Sequence, residues 1–244
     1  MPELPEVQTT VNYLKRSVSG RKIIAAWHDW AKFKAVEKAV GYKIKDIKRI
    51  GKNILFYLSE NKILLVHQKM TGHILVGKWQ IDGKKITPVS PATLKERVND
   101  FIHFILTLDD GLMIGLSDLR KFGKVVFGSA EEVENSKELK KLGPDALAVG
   151  FKELTKRVGS RSKTIYQVLM DQTVISGIGN IYASDILFAA RVYPFKIAKK
   201  LSEKELTAIW KASKKILKLA LKLNGTSIAD YRMPSGESGY YQKK

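Results

Sequence analysis

The 244-residue chain contains no cysteine. That absence excludes disulfides, cysteine nucleophiles and every thiolate metal site. Acidic residues are scarce as well: 24 Asp and Glu stand against 43 Lys and Arg, a formal charge of +19. A surplus of that size costs self-repulsion in a compact molecule, so it points to a polyanionic partner. No apolar run approaches the roughly 20 residues of a membrane span, which argues against a membrane protein. The opening residues, Met1-Pro2-Glu3-Leu4-Pro5-Glu6, lack the basic flank and apolar stretch of an export signal, so a cytoplasmic, nucleoid-associated location is expected. Hydrophobic residues at 44% and aromatics at 9% are enough to build a core, so the chain is not a disordered basic tail. Ribosomal proteins share this profile, and composition alone does not separate an enzyme from a structural nucleic-acid binder.

The chain reads as an α+β protein with a β half followed by an α half. Pro5 suits the first turn of a helix, Glu3 and Glu6 suit its positive end, and Val7, Val11, Leu14 and Val18 recur at helical spacing before Gly20. From about Lys22 to Gly128 the pattern is short strands, among them Ile23–Trp27, Ile50–Leu58, Lys62–Gln68 and Phe101–Leu108. Asp109-Asp110-Gly111 marks a hairpin, because glycine accepts a positive φ. Trp79 to Asn99, with Pro88 and Pro91, reads as a long surface loop. This half is expected to be a β-sandwich domain over residues 1–128, with a linker and first helix over 129–150.

Helical patterns occupy 151–158, 161–171 and 181–191. A longer one opens with the capping box Ser202/Glu205, carries Leu206, Ile209, Trp210, Ile216, Leu217, Ala220 and Leu221 on one stripe, and stops at Asn224-Gly225. Residues 151–244 form the second expected domain, ending in a stretch that reads as mobile. A basic cleft is expected between the two halves.

Several residues carry possible chemistry. A small residue after the initiator Met permits its removal, which leaves Pro2 as a free secondary amine. An α-amine titrates at about 7.7–8.0 in reference peptides, so it is a better nucleophile at neutral pH than lysine. It could attack an aldehyde-like sugar carbon, with Glu3 donating a proton to the ring oxygen. The plain alternative is a capped helix start with an ordinary proline. Gly177-Ile178-Gly179-Asn180 lies between two helical patterns, where freed amides and an Asn180 cap could hold a phosphate; a tight interhelical turn needs the same residues. Lys52 could reach a phosphate, or be a solvated surface lysine. His67, His73 and His103 have no carboxylate spacing that supports a metal, and no metal or cofactor is expected. Met70 reads as core filler, and Phe122 as either a buried strand residue or an aromatic tip beside Arg120 that wedges between bases.

The order of these signals resembles the formamidopyrimidine-DNA glycosylase family of base-excision repair enzymes. The match rests on Met1-Pro2-Glu3-Leu4-Pro5-Glu6-Val7, on His67 to Gly72, on Asp118-Leu119-Arg120-Lys121-Phe122-Gly123, on Leu142-Gly143-Pro144, and on Asp171-Gln172 with Gly177 to Ser184. Leu4, where the related Nei-type enzymes usually carry Gly, favours the Fpg branch. The resemblance implies an N-terminal helix plus β-sandwich, then a helical domain with a helix–two-turn–helix motif. It implies a monomer acting on damaged double-stranded DNA, removing 8-oxoguanine and formamidopyrimidines and cutting the strand by β,δ-elimination. Pro2 would be the nucleophile, Glu3 the acid and Lys52 their neighbour in the catalytic group. Lys52, His67 and Asn180, with the Gly177 and Gly179 turn, would grip phosphates. Met70, Arg120 and Phe122 would fill the gap left by the extruded nucleotide. Thr226 to Tyr240 would be the loop that closes over the damaged base.

Two departures stand out. The family usually carries a four-cysteine zinc finger after this point, so this cysteine-free chain is either a truncated version or one that has dispensed with the finger, and Tyr166 stands where many relatives have Lys. A DNA-binding protein of the same fold that senses lesions without turnover is the rival reading. An rRNA-binding structural protein would explain only the charge.

Overall fold

A computed structural model describes residues 1–228 and 231–244. Helix α1 (Leu4–Val18) opens the chain, followed by β1 (Ile23–His28) and a 3-10 segment at Ala31–Ala39. Then come β2 (Ile44–Ile50), β3 (Asn53–Leu58), β4 (Lys62–His67), β5 (Gly72–Asp82), β6 (Lys85–Ser90), β7 (Ile102–Leu108), β8 (Met113–Asp118) and β9 (Lys124–Ser129). The strands form two antiparallel sheets, one in the order β1-β7-β8-β5-β6 and one in the order β2-β3-β4-β9. Helices α2 (Ala130–Glu134), α3 (Lys137–Lys140), α4 (Phe151–Gly159), α5 (Ile165–Met170), α6 (Asn180–Ala190) and α7 (Glu203–Lys222) complete the fold. It is the expected α+β arrangement of helix plus β-sandwich followed by a helical domain. No described helix is long and apolar enough to cross a membrane.

Between the sheets, Ile47, Ile54, Phe56, Leu64, Val66, Ile74, Phe104 and Leu116 form one core, onto which α1 lays Val7, Val11, Leu14 and Val18. The strands are apolar on both faces because both outer faces are also covered. Leu55, Ile63 and Leu65 pack under Val133 and Leu139 of α2 and α3, while Leu75, Trp79 and Ile105 pack under Leu94. That burial corrects the reading of Trp79 to Asn99 as a surface loop. Its first part is β5 running to Asp82 and turning at Gly83 (φ +57°) into β6, with Trp79 opposite Pro88. Pro88 is tolerated because β6 is a sheet edge, where a missing N–H leaves no partner unpaired.

The helical half has its own core around Leu154, Ile165, Val168, Ile178, Tyr182, Ile186, Ile209 and Leu217. Leu4, the first residue of α1, belongs to this core and not to the sandwich. Its N–H donates to the Gly177 carbonyl at 3.0 Å. Gly177 has φ +104°, and a Cβ there would lie 2.6 Å from Leu4 Cδ1. One helix therefore plugs into both cores, which pins the N-terminus at the junction of the two halves.

Candidate active site at the junction of the two halves

The junction brings together the N-terminus of α1, the N-terminus of α6, the β2–β3 turn and the segment after α7. Pro2 is buried and lines a cleft of about 270 Å³ with Met70, Thr71, Gly72, Ile181, Thr226 and Tyr231 among the other walls. A larger cavity of about 680 Å³ lies beside α6 among Phe188, Val192 and Phe195, but no carboxylate or amine lines it.

Glu3 is 1% exposed, and its carboxyl sits on the N-terminus of α6. Oε2 accepts the Gly179 N–H at 2.6 Å and Oε1 accepts the Ile181 N–H at 2.9 Å. These amides have no partner within the helix, and the helix dipole favours a carboxylate there. Burial nevertheless raises the Glu3 pKa above its ordinary value, against the opposing pull of Lys52 and of the two amides. Lys52, in the β2–β3 turn, is also buried, and burial lowers its pKa against the charges of Glu3 and Glu6. Burial thus disfavours the charged form of both groups.

This geometry corrects the reading of the Gly177 and Gly179 amides as an open phosphate seat. The Gly179 N–H is taken by Glu3, and the Gly177 N–H donates to Gln172 Oε1 at 2.9 Å. Nor does Asn180 cap α6: Gly179 is the capping position, and Asn180 is the first helical residue. Asn180 is exposed, and its Oδ1 accepts the Tyr166 hydroxyl. That bond orients the side-chain amide so that its N–H groups are the atoms left for an anion. Removing the hydroxyl in Tyr166→Phe is expected to weaken DNA binding about threefold, the loss of one modest hydrogen bond. Fluorescence anisotropy at fixed salt measures it, because affinity for DNA varies steeply with salt.

Glu6 is the residue that sequence reasoning passed over. It is 2% exposed, and its carboxylate accepts the Glu3 N–H at 2.8 Å, the Thr226 N–H at 2.8 Å and the Tyr182 hydroxyl at 2.6 Å. The Tyr231 hydroxyl reaches the Glu6 carbonyl at 3.3 Å. Burial first, and then the Glu6 charge, push the phenols of Tyr182 and Tyr231 far above the ordinary tyrosine range, so both remain donors. Gly225 allows this approach, since a Cβ there would lie 2.7 Å from Glu6 Oε1. The only signal in the sequence was the Glu3-x-x-Glu6 spacing of a capping box. Glu6→Ala strands three donors and is expected to cost about 3 kcal/mol of stability, read from urea midpoints; Glu6→Gln keeps an acceptor and costs less.

The segment after α7, read as a mobile closing loop, is anchored to both halves on either side of Ala229 and Asp230, which lie outside the described residues. Val76 N–H donates to the Pro234 carbonyl at 2.7 Å, Arg232 pairs with Glu96 at 2.8 Å, and Tyr241 donates to Asp185 at 2.8 Å. Tyr240 is half exposed against Lys243 and is not among the residues lining the Pro2 cleft.

Two further loops cross the end of the sandwich side by side. Strand β4 pairs with β9 in one sheet and β5 with β8 in the other, so the β4–β5 and β8–β9 connections run together. The first carries Met70 and the second Arg120 and Phe122. Met70 and Phe122 are each 46% exposed, so neither is a core residue. The Arg120 guanidinium lies 4.6 Å from the Phe122 ring centroid and reaches Met70 Sδ at 3.5 Å. The three side chains form one apolar, cationic tip. His67 ends β4 with its Nδ1 accepting the Lys69 N–H at 3.0 Å. Burial, then the Lys69 charge, lower its pKa to about 4, so it is neutral at pH 7 and offers Nε2–H as a donor. Among the described residues no group of three or more His, Asp or Glu could hold a metal, and a chain without cysteine cannot build the family's thiolate zinc site.

Two family models match in order: the formamidopyrimidine-DNA glycosylase N-terminal domain over residues 1–125, and the formamidopyrimidine-DNA glycosylase H2TH domain over residues 142–232. The formamidopyrimidine-DNA glycosylase of Ureaplasma parvum is 37% identical over all of this chain and 86% of its own length. That of Desulfitobacterium hafniense is 34% identical over all of this chain and 87% of its length. Among solved structures, the MutM (Fpg) protein of Thermus thermophilus superposes with a TM-score of 0.82 at 29% identity, covering 99% of this chain and 85% of that one. The Lactococcus lactis Fpg bound to abasic-site DNA gives 0.84 at 26% identity, covering 99% and 86%. The buried Glu3 beside Pro2, the paired loops and these likenesses lead to one conclusion: the chain belongs to the formamidopyrimidine-DNA glycosylase family.

Proposed function

We propose that this protein excises oxidised purines, 8-oxoguanine and formamidopyrimidines, from duplex DNA and then cuts the strand through an iminium on Pro2. The observation that carries the reading is the pairing of a cleft-lining Pro2 with a buried Glu3 carboxyl whose pKa is raised. Met1 is 48% exposed at the same cleft, and its removal frees the secondary amine.

The Pro2 nitrogen attacks C1′ of the extruded nucleotide and the bond to the damaged base breaks, the base leaving with the electron pair and taking up a proton. Glu3 delivers a proton to the ring oxygen as the C1′–O4′ bond opens, and the amine loses its own proton to become an iminium. The iminium acidifies the C2′ hydrogen. Its loss expels the 3′ phosphate, and a second elimination expels the 5′ phosphate. Lys52, buried beside Glu3, balances the charge as that proton moves. Outside the cleft, neutral His67 and the amide of Asn180 donate to backbone phosphates. Extrusion unstacks a base at a cost of a few kcal/mol, which the inserted Met70, Arg120 and Phe122 offset. Arg120 would face the orphaned cytosine. Affinity for any duplex, whatever its sequence, comes from the +19 charge, which also steers the encounter.

Borohydride trapping tests the reading, using a duplex with one 8-oxoguanine opposite cytosine and an abasic duplex alongside, with the product read by intact mass. The expected result is a reduced adduct on the chain lacking Met1 with both duplexes. Trapping on the abasic duplex alone would leave a lyase without base excision. Tight binding with no adduct on either would sink the enzyme reading and favour the lesion-sensing binder.

A further inference from the structure

The Met70 and Arg120–Phe122 loops are exposed, yet their tips meet as one surface, so something must hold them in register. Asp118, the last residue of β8, lies between their bases and is fully buried. One carboxylate oxygen accepts the Thr71 hydroxyl at 2.5 Å, and the other accepts the Gly123 N–H at 2.7 Å. Thr71 follows Met70, and Gly123 follows Phe122, so a single side chain ties one loop to the other. Thr71 closes the link a second time, because its hydroxyl oxygen also accepts the Arg120 N–H at 3.0 Å. Gly72 leaves no slack on this side: a Cβ there would lie 2.2 Å from the Gln68 carbonyl.

The backbone of Asp118 is fixed from the opposite side. Its N–H donates to the Phe101 carbonyl at 2.8 Å, and its carbonyl accepts the Lys121 N–H at 3.0 Å. His103 reaches that carbonyl with Nε2 at 2.9 Å, is held by Asp29 through Nδ1 at 2.8 Å, and stacks on Phe33. A buried carboxylate is stable only with its lone pairs satisfied. Here the donors that satisfy it are the two loops themselves, so the loops cannot separate without stranding the charge.

We propose that Asp118, through Thr71 and Gly123, is the positioning residue that presets Met70, Arg120 and Phe122 as one rigid wedge for insertion into duplex DNA. Asp118 is fully buried and acts through the residues it holds. This rests on the reading above that those three side chains enter the duplex. Preorganisation of this kind removes the ordering cost that a loose pair of loops would meet at each insertion.

The test places 2-aminopurine next to a tetrahydrofuran abasic analogue in a duplex that cannot be cleaved, so its fluorescence reports unstacking without chemistry. Excision from the 8-oxoguanine duplex and trapping on a single-stranded abasic oligonucleotide, which needs no wedge, are measured in parallel. Asp118→Ala is expected to remove most of the fluorescence rise and slow duplex excision about tenfold or more, with single-strand trapping within about twofold of wild type. Asp118→Asn should recover part of both losses, since its carbonyl can accept the Gly123 N–H while its amide donates to Thr71. Should Asp118→Ala fail to fold, Thr71→Val and Thr71→Ser decide: Val should lose the fluorescence rise and Ser should keep it. A wild-type rise that persists in Asp118→Ala, or in Thr71→Val, overturns the positioning role. No rise with the wild type means the wedge reading itself has failed, and the positioning role with it.

Discussion

Replacing Glu3 with Gln is expected to slow excision from an 8-oxoguanine duplex on the order of 10²–10⁴-fold, the usual range for losing a general acid. The fold should survive, because Gln has nearly the same shape and Leu4 still anchors α1 in the helical core. The fit is nevertheless imperfect. Gly179 and Ile181 both present N–H groups to the carboxyl, and an amide offers them one oxygen and one NH2. Single-turnover excision with a thermal melt separates the two effects, and excision within a few-fold of wild type would remove Glu3 from its assigned role.

The same carboxyl predicts the pH profile. The reaction needs Glu3 protonated and the Pro2 amine free. At low pH Glu3 is protonated and the rate climbs as the amine loses its proton. Above the Glu3 pKa, further gain of free amine is cancelled by loss of the acid, so the ascending limb bends there. Burial raises that pKa and the Lys52 charge holds it down. Lys52→Met therefore should move the bend to higher pH, whatever it does to the plateau rate. A bend that stays in place or moves to lower pH contradicts the coupling.

Much of the fold was legible where local chemistry and tertiary structure agree. The long helix α7 begins at its Ser202/Glu205 box, and its chain leaves the helical path at Asn224 and Gly225, both with positive φ. Legibility failed where partners are distant in sequence. Trp79 to Ser90 looks like a loop because Gly83 and Lys84 form a turn and Lys85 and Pro88 sit on an edge strand, and only the packing of Leu94 on Trp79 shows the burial. The glycine turn before α6 was readable as an anion seat, since a helix N-terminus with freed amides attracts negative charge. What the sequence does not show is which acid occupies it. Glu3 lies 176 residues away, and only the docking of α1 through Leu4 brings it there. Glu6, Tyr182 and Thr226 were missed for the same reason, each being an ordinary residue until the junction joins them.

Gly179→Ala tests that junction most directly. The backbone at Gly179 is extended, with φ −134° and ψ −154°, so alanine adopts it without strain. The added methyl, however, would lie 2.5 Å from the Glu3 carboxyl carbon, 2.6 Å from Oε1 and 2.7 Å from Lys52 Nζ. Both side chains are buried, so neither can swing into solvent without opening the junction. The expected outcome is displacement of the carboxyl from its two amides and excision slowed on the order of 10²-fold or more. Overpacking of this kind costs about 1–3 kcal/mol, so the variant should still fold. Gly177→Ala, two residues earlier, combines φ +104° with a clash on Leu4, and its damage should fall on stability first. If Gly179→Ala excises at nearly the wild-type rate while Gly177→Ala unfolds, the turn serves only to pack α1, and Glu3 does not need its seat on α6 to act.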